Sequence, residues 1–323
     1  VWNRLSRGFY FPCLPFFYLK ISDFYHKDVL TGMKVLKRYG ALYVMMAPVI
    51  AYFLVFAYYP LVKGMQTSFQ NYRLMGDRPY VGFTNYSDVL HDSTFWEAMV
   101  NTLVIGGGIL LFSFAAPLVI ALSLNEVLRT WYKKLAQMIL YVPHLLSWVV
   151  VGGIWIFLLS PDSGLVNMVL VHVFHRTPFN FLADASWARW IMILLATWKE
   201  MGYTCILFLA GIVSINPSLY EAARMDGATR WQQLIRVTLP QLGNTMKVVF
   251  LLNTLGILRI FDEVFVLRNP TIATKVDVLM MYTFQRGILD IKLGPASAAS
   301  FFVLLLTLAL TLVVRRVTRF DEV

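Results

Sequence analysis

A few ionisable residues lie inside long apolar runs, and their types limit what they can do. Lys199 and Glu200 follow Trp198 in the run 188–214; Arg259 sits in the run 243–266, with Asp262 and Glu263 toward its end. A charge in hydrocarbon is costly, so each must pair, snorkel, or meet water and a polar ligand. Neighbours on a helix point about 100° apart. Lys199 and Glu200 are therefore expected not to pair face to face, each needing its own partner or water. Two chemistries stay open for this set: interhelical ion pairing, or the lining of a wet pathway. In the second, Arg259 and Lys199 would meet an anionic chain, because a guanidinium fork matches a carboxylate. Trp198, Tyr203, Asn253 and Tyr282 would add stacking faces and hydrogen bonds suited to a hydroxyl-rich ligand.

The second constellation is the polar stretch SLYEAARMDGATRWQQLIRVTLP, Ser218 to Pro240, set between two apolar runs. Asn216-Pro217 reads as an N-cap with Pro at the first helical position. Ser218-x-x-Glu221 offers an overlapping capping box one or two residues later. The helix should pass through Ala222, Ala223 and Met225 and stop at Asp226-Gly227, where glycine takes the positive φ that a sharp reversal needs. Thr229-x-x-Gln232 is a second capping box, opening a helix with Trp231, Leu234 and Ile235 on one face, closed by Leu239-Pro240. Chemistry fixes each boundary, so a rigid helix pair is expected. On the residues alone, a cap over the bundle and a docking element both remain open.

The surroundings are lipid-compatible. Of 323 residues, 58% are hydrophobic and 14% charged, which excludes an ordinary soluble domain. Apolar runs near 41–62, 98–124, 135–159, 188–214, 243–266 and 296–314 predict six membrane helices, with Pro48, Pro117 and Pro143 as kink sites. The glycines at 106–108 and at 152–153 are expected to allow close backbone approach. Continuous rather than alternating runs exclude a β-barrel. Sixteen Lys and Arg flank one side and nine the other, which places both termini and the 216–240 segment in the cytoplasm. The net charge of +10 is then mostly inner-face chemistry, and no nucleic-acid partner is expected.

Residues 1–39 form a separate segment. Its apolar part is short and broken by Pro12 and Pro15, so residues 1–30 are expected along the membrane interface, with a loose extension as the alternative. The sequence opens on Val1, so residues upstream of it are expected. Cys13 and Cys205 are badly placed for a disulfide. His172 and His175 lie in a stretch expected to form a short external helix, without a third ligand for a metal.

The polar stretch carries a resemblance. Glu221-Ala222-Ala223, three residues, Gly227, nine residues, then Val237-x-Leu239-Pro240 is similar to the EAA signature of permease subunits of ATP-binding-cassette importers. Val237 departs mildly from the usual Ile. NYSDVL, YVPHLLSWVVVGGIW, TWKEMGYTCILFLAGI and IFDEVFVLRNP resemble the polysaccharide-type carbohydrate group, over about 280 residues. The resemblance implies an all-α type I importer permease fold spanning 40–320, with coupling helices at 216–240. It implies ATPase contact through Glu221, Ala222, Ala223, Asp226, Gly227, Leu239 and Pro240. It also implies a second homologous permease, two ATPase subunits that bind ATP and Mg, an external binding protein, and an inner-membrane location in lipid. The cargo would be an oligo- or polysaccharide, moved by alternating access; an acidic polymer such as alginate would suit Arg259. The chain has no G-x-x-x-x-G-K-[ST], so it is expected to hold no ATP or other cofactor itself.

Two other classes compete. An ion-coupled secondary sugar transporter would need mid-membrane carboxylates in related halves, and Glu200 alone is thin support. A membrane transferase would need paired carboxylates or a metal, and Asp262-Glu263 stands without help.

Overall fold

Pro143 and Gly256 each lie where a long apolar run gives way, and these breaks shape the molecule. The structure, a computed structural model, describes residues 32–72 and 77–317, with side chains from residue 39. The interfacial segment expected at 1–30, with Cys13, lies outside the described residues.

The chain divides after Lys63 into two units. The first holds α1 (Gly32–Phe53), which passes through Pro48, then a π-turn at Leu54–Tyr58 and the start of α2 (Tyr59–Ser68). Its side chains from Leu42 onward are largely exposed, as befits a helix meant for lipid.

In the second unit, the short α3 (Thr84–His91) leads into α4 (Ser93–Asn125), which runs unbroken through Pro117. Asp92 caps α4, accepting from the Thr94 amide at 3.0 Å. Next come α5 (Thr130–Leu145), α6 (Trp148–Leu158), α7 (Leu165–His172) and α8 (Ala185–Val213). The polar stretch forms α9 (Pro217–Met225), α10 (Arg230–Gln233) and α11 (Leu239–Gln241). Then follow α12 (Gly243–Gly256), α13 (Asp262–Leu267), α14 (Ala273–Val276), α15 (Leu279–Phe284) and α16 (Leu293–Val317).

Tyr39–Ser68, α4, α8 and α16 are long and apolar enough to cross a membrane unbroken. Two of the expected six spans are not straight. The run 135–159 is split, with α5 and α6 meeting at 103°. Pro143 withholds an amide from the last turn of α5, and Ser147 starts α6 by accepting from the Val150 amide at 3.3 Å. The run 243–266 is α12, a 3-10 turn at Ile257–Arg259, extended backbone at Ile260, and then α13. Asp262 and Glu263 occupy the first turn of α13, where acidic groups favour a helix start.

The core sits between α4 and α8, with Ile105, Met192, Ile193 and Phe208 buried. Glycine permits close approach to α4: a Cβ on Gly108 would come 2.4 Å from Ile193 Cδ1 of α8, and one on Gly106 2.3 Å from Ile257 Cγ2 of the turn after α12. Gly152 lets α6 meet Val266 of α13 in the same way, while Gly107 and Gly153 face open space.

Candidate functional site

The polar stretch folds as a closed helix pair at the end of α4. Asn216 accepts from the Ser218 amide at 3.0 Å with Pro217 next to it, so α9 starts there. Ser218 lies in the first turn, and the box expected at Ser218–Glu221 is not the cap. Gly227 turns the chain at φ +76°, with the Ala228 amide donating to the Ala223 carbonyl at 2.9 Å. Thr229 and Gln232 form the full capping box, at 3.3 and 2.8 Å. The Tyr220 and Thr238 hydroxyls meet at 3.0 Å, joining the two arms.

Pro240 does not close the second arm as expected. The helix widens to a π-turn over Leu234–Thr238 and continues through Pro240 to Gln241. The wider turn accommodates the missing amide and the ring of the proline.

The tip of this pair is uncovered. Met225 is 89% exposed and Trp231 68%, and Glu221, Ala222, Asp226 and Gly227 are also exposed. Behind the tip, a cavity of about 320 Å³ is lined by Asn125, Glu126, Tyr220, Glu221, Arg224 and Arg230, among others. Arg230 and Glu126 face each other across it at 3.6 Å; both are exposed, so the pair contributes little.

Lys199, Glu200 and Glu263 lie together in a second zone. Lys199 and Glu200 do pair, contrary to expectation, with Nζ 3.3 Å from Oε1. Their Cβ directions diverge, but the four-carbon lysine stem bends back far enough to bring the heads together. The other Glu200 oxygen, Oε2, lies 2.8 Å from His144 Nδ1. His144 stacks on Tyr203 at 4.8 Å and 13°. Lys199 is buried, Glu200 and Tyr203 are partly open, and Trp198 stands edge-on to Trp155. His144, at the end of α5, had no signal in the sequence beyond its place after a proline.

Arg259 is exposed at the break after α12 and makes no hydrogen bond or ion pair among the described residues. Asn253, half-buried, donates to the Ser113 carbonyl at 3.4 Å. Glu263 is buried near Lys199 and Glu200.

Tyr282 belongs to neither group. It is buried at the opposite end of α4, where its hydroxyl donates to Asp92 at 2.8 Å beside Arg286. Burial works against the Asp92 carboxylate, yet the hydrogen bonds from Thr94, Tyr282 and Arg286 outweigh it and hold its pKa at about 2. Burial, then the bond to Asp92, pushes the Tyr282 phenol up to about 12. These groups floor a cavity of about 620 Å³ with Asp88 and Lys292 on its walls. His172 ends α7, and His175 follows outside the helix at φ +49°.

Residues 108–320 match the family described as binding-protein-dependent transport system inner membrane component. Over 277 residues the chain is 33% identical to Protein LplB of Bacillus subtilis (strain 168), covering 84% of this chain and 86% of that one. Over 283 residues it is 33% identical to the polygalacturonan/rhamnogalacturonan transport system permease protein YteP of the same organism, covering 86% and 87%. Its fold is similar, at TM-score 0.83 and 36% identity, to a chain of a bacterial alginate ABC transporter solved in complex with an alginate pentasaccharide-bound periplasmic protein; 90% of this chain and 97% of that one are covered. The architecture is the all-α type I importer permease fold.

Proposed function

Because the chain belongs to the family of binding-protein-dependent transport system inner membrane components, we propose that it is the permease subunit of an importer that brings a carbohydrate chain into the cytoplasm. The observation that carries this reading is the capped helix pair with its uncovered tip at Met225 and Trp231. An apolar, rigid projection beside charged residues is suited to seating in a partner, and here the partner is an ATPase subunit. Glu221, Ala222, Ala223, Asp226 and Gly227 form the gripped surface. Leu239 and Pro240 carry motion on into α12. Two ATPase subunits bind ATP and Mg, and their closure switches this chain and a second permease between inward- and outward-facing states. The excess of Lys and Arg supports a cytoplasmic location for this pair and both termini. Residues 40–320 make up the permease domain, preceded by the segment 1–39.

The cargo is proposed to be an acidic oligo- or polysaccharide. Relatives named for polygalacturonan and alginate support this, as does Arg259. A guanidinium with no ion pair among the described residues, set at a helix break, suits a backbone that lines a watery cavity. Trp198, Glu200, Tyr203 and Asn253 share this proposed path. Lys199 is buried and Tyr282 stands apart, so neither is assigned to the cargo. An external binding protein delivers it, as in the alginate complex.

Reconstitution with the cognate ATPase and binding protein tests the reading. Uptake of alginate pentasaccharide should require ATP, and Gly227→Pro or Glu221→Lys should abolish it while the subunit stays in the membrane. Normal uptake by either variant would refute the coupling role.

A further inference from the structure

The bend between α5 and α6 removes hydrogen bonds that a continuous helix would make, and one side chain replaces a lost donor. In an unbroken helix the His144 carbonyl would accept from the amide four residues on, at Trp148. At the bend, Leu146 and Ser147 are extended and that bond is gone. Lys199 Nζ donates to the His144 carbonyl instead, at 3.3 Å. The ammonium also lies over the Trp148 ring at 5.3 Å, so it touches the residues on both sides of the bend. A positive charge at the C-terminal end of a helix is favourable in itself.

Glu200 completes the arrangement. It takes Lys199 on one oxygen and the His144 imidazole on the other, so His144 is held by its backbone and by its ring. Close by, a Cβ on Gly202 would lie 2.1 Å from the Leu140 carbonyl oxygen, so the α5 and α8 backbones touch. On its far side α6 packs on α13 through Gly152 and Val266, and α13 follows directly on the Arg259 break.

We propose that Lys199 is a positioning residue: by supplying the donor missing at the bend it fixes the angle of α6, and through α13 the placement of the Arg259 segment, without contacting cargo. This rests on the importer reading for its effect on uptake, but not for its effect on the angle.

The test uses the assembled transporter with Cys13→Ser and spin labels at Met138→Cys on α5 and Phe157→Cys on α6, both exposed sites. In Lys199→Met the inter-label distance distribution should shift or broaden. The maximal rate of alginate pentasaccharide uptake should fall about tenfold or more, with KM changed less than about twofold. Lys199→Arg should restore both readouts. The double variant Lys199→Met/Glu200→Gln should not, because removing the leftover charge does not return the donor. If Lys199→Met fails to assemble, Lys199→Gln should move the distribution the same way by less. A parental distribution in the variant that assembles overturns the proposal. So does a raised KM with the maximal rate kept, which would make Lys199 a cargo contact, or recovery in the double variant, which would make its role charge balance. If the parent shows no ATP-dependent uptake, the importer reading fails, and the distance distribution still decides the proposal.

Discussion

Arg286 and Asp92, 194 positions apart in the chain, meet with Nη2 2.5 Å from Oδ2 and tie the turn after α15 to the start of α4. Both side chains are partly buried; without Arg286, Asp92 keeps its bonds to Thr94 and Tyr282 but loses its charged partner. Arg286→Ala should lower the stability of the purified complex by about 1–3 kcal/mol, measured by thermal unfolding in detergent. Equal melting temperatures for variant and parent would show the pair to be incidental.

The same pair sets a pH window. The folded Asp92 pKa, about 2, lies below its unfolded value of about 3.9. Its stabilising contribution is therefore complete above about pH 4 and is lost as pH falls through about 2. Asp92→Asn should destabilise at pH 6, and its melting temperature should converge with the parent's as both are acidified to pH 3 and below. A gap that stays constant over that range counts against this assignment.

At Gly227 the cost is confined to the backbone. Its φ is +76°, and a Cβ would meet nothing within 4 Å. Gly227→Asn should keep most uptake, since asparagine tolerates this conformation, whereas Gly227→Val should strain the turn by about 1–2 kcal/mol and uncouple ATP hydrolysis from uptake. Equal behaviour of the two variants would mean that the turn conformation is irrelevant.

Arg259 offers a test of cargo charge. Arg259→Ala should raise KM for alginate pentasaccharide about tenfold, while Arg259→Lys keeps part of the affinity. Uptake unchanged in Arg259→Ala would remove that residue from the path.

Two glycines give opposite expectations. Gly202→Ala drives a methyl into the Leu140 carbonyl and should destabilise by about 1–3 kcal/mol or more. Gly153→Ala meets nothing and should be neutral or slightly stabilising by thermal unfolding.

The boundaries legible in the sequence were those set by local chemistry. Asn216-Pro217, Gly227 and the Thr229–Gln232 box each act within one turn, and the structure places each as the residues suggest. Pro240 misled because a π-turn can carry a helix past a proline. Pro143 marked the break at 146–147, whereas the one at 257–261 carries no proline, and a hydropathy run records burial in lipid and not backbone continuity. Lys199 and Glu200 were legible as charges needing partners, but His144 was not, because its role depends on how α5 lies on α8. The Asp92–Arg286 pair is long-range and leaves no local trace.

The wide turn at Leu234–Thr238 lies between the exposed tip of the helix pair and α12. A π-turn stores one residue more than an α-turn, and letting that residue go rotates everything beyond by about 100°. Were the bulge to migrate, Leu239–Gln241 would turn about the helix axis just ahead of Leu242, the joint that leads into α12. A displacement of the exposed Met225 end would then reach that joint as a twist.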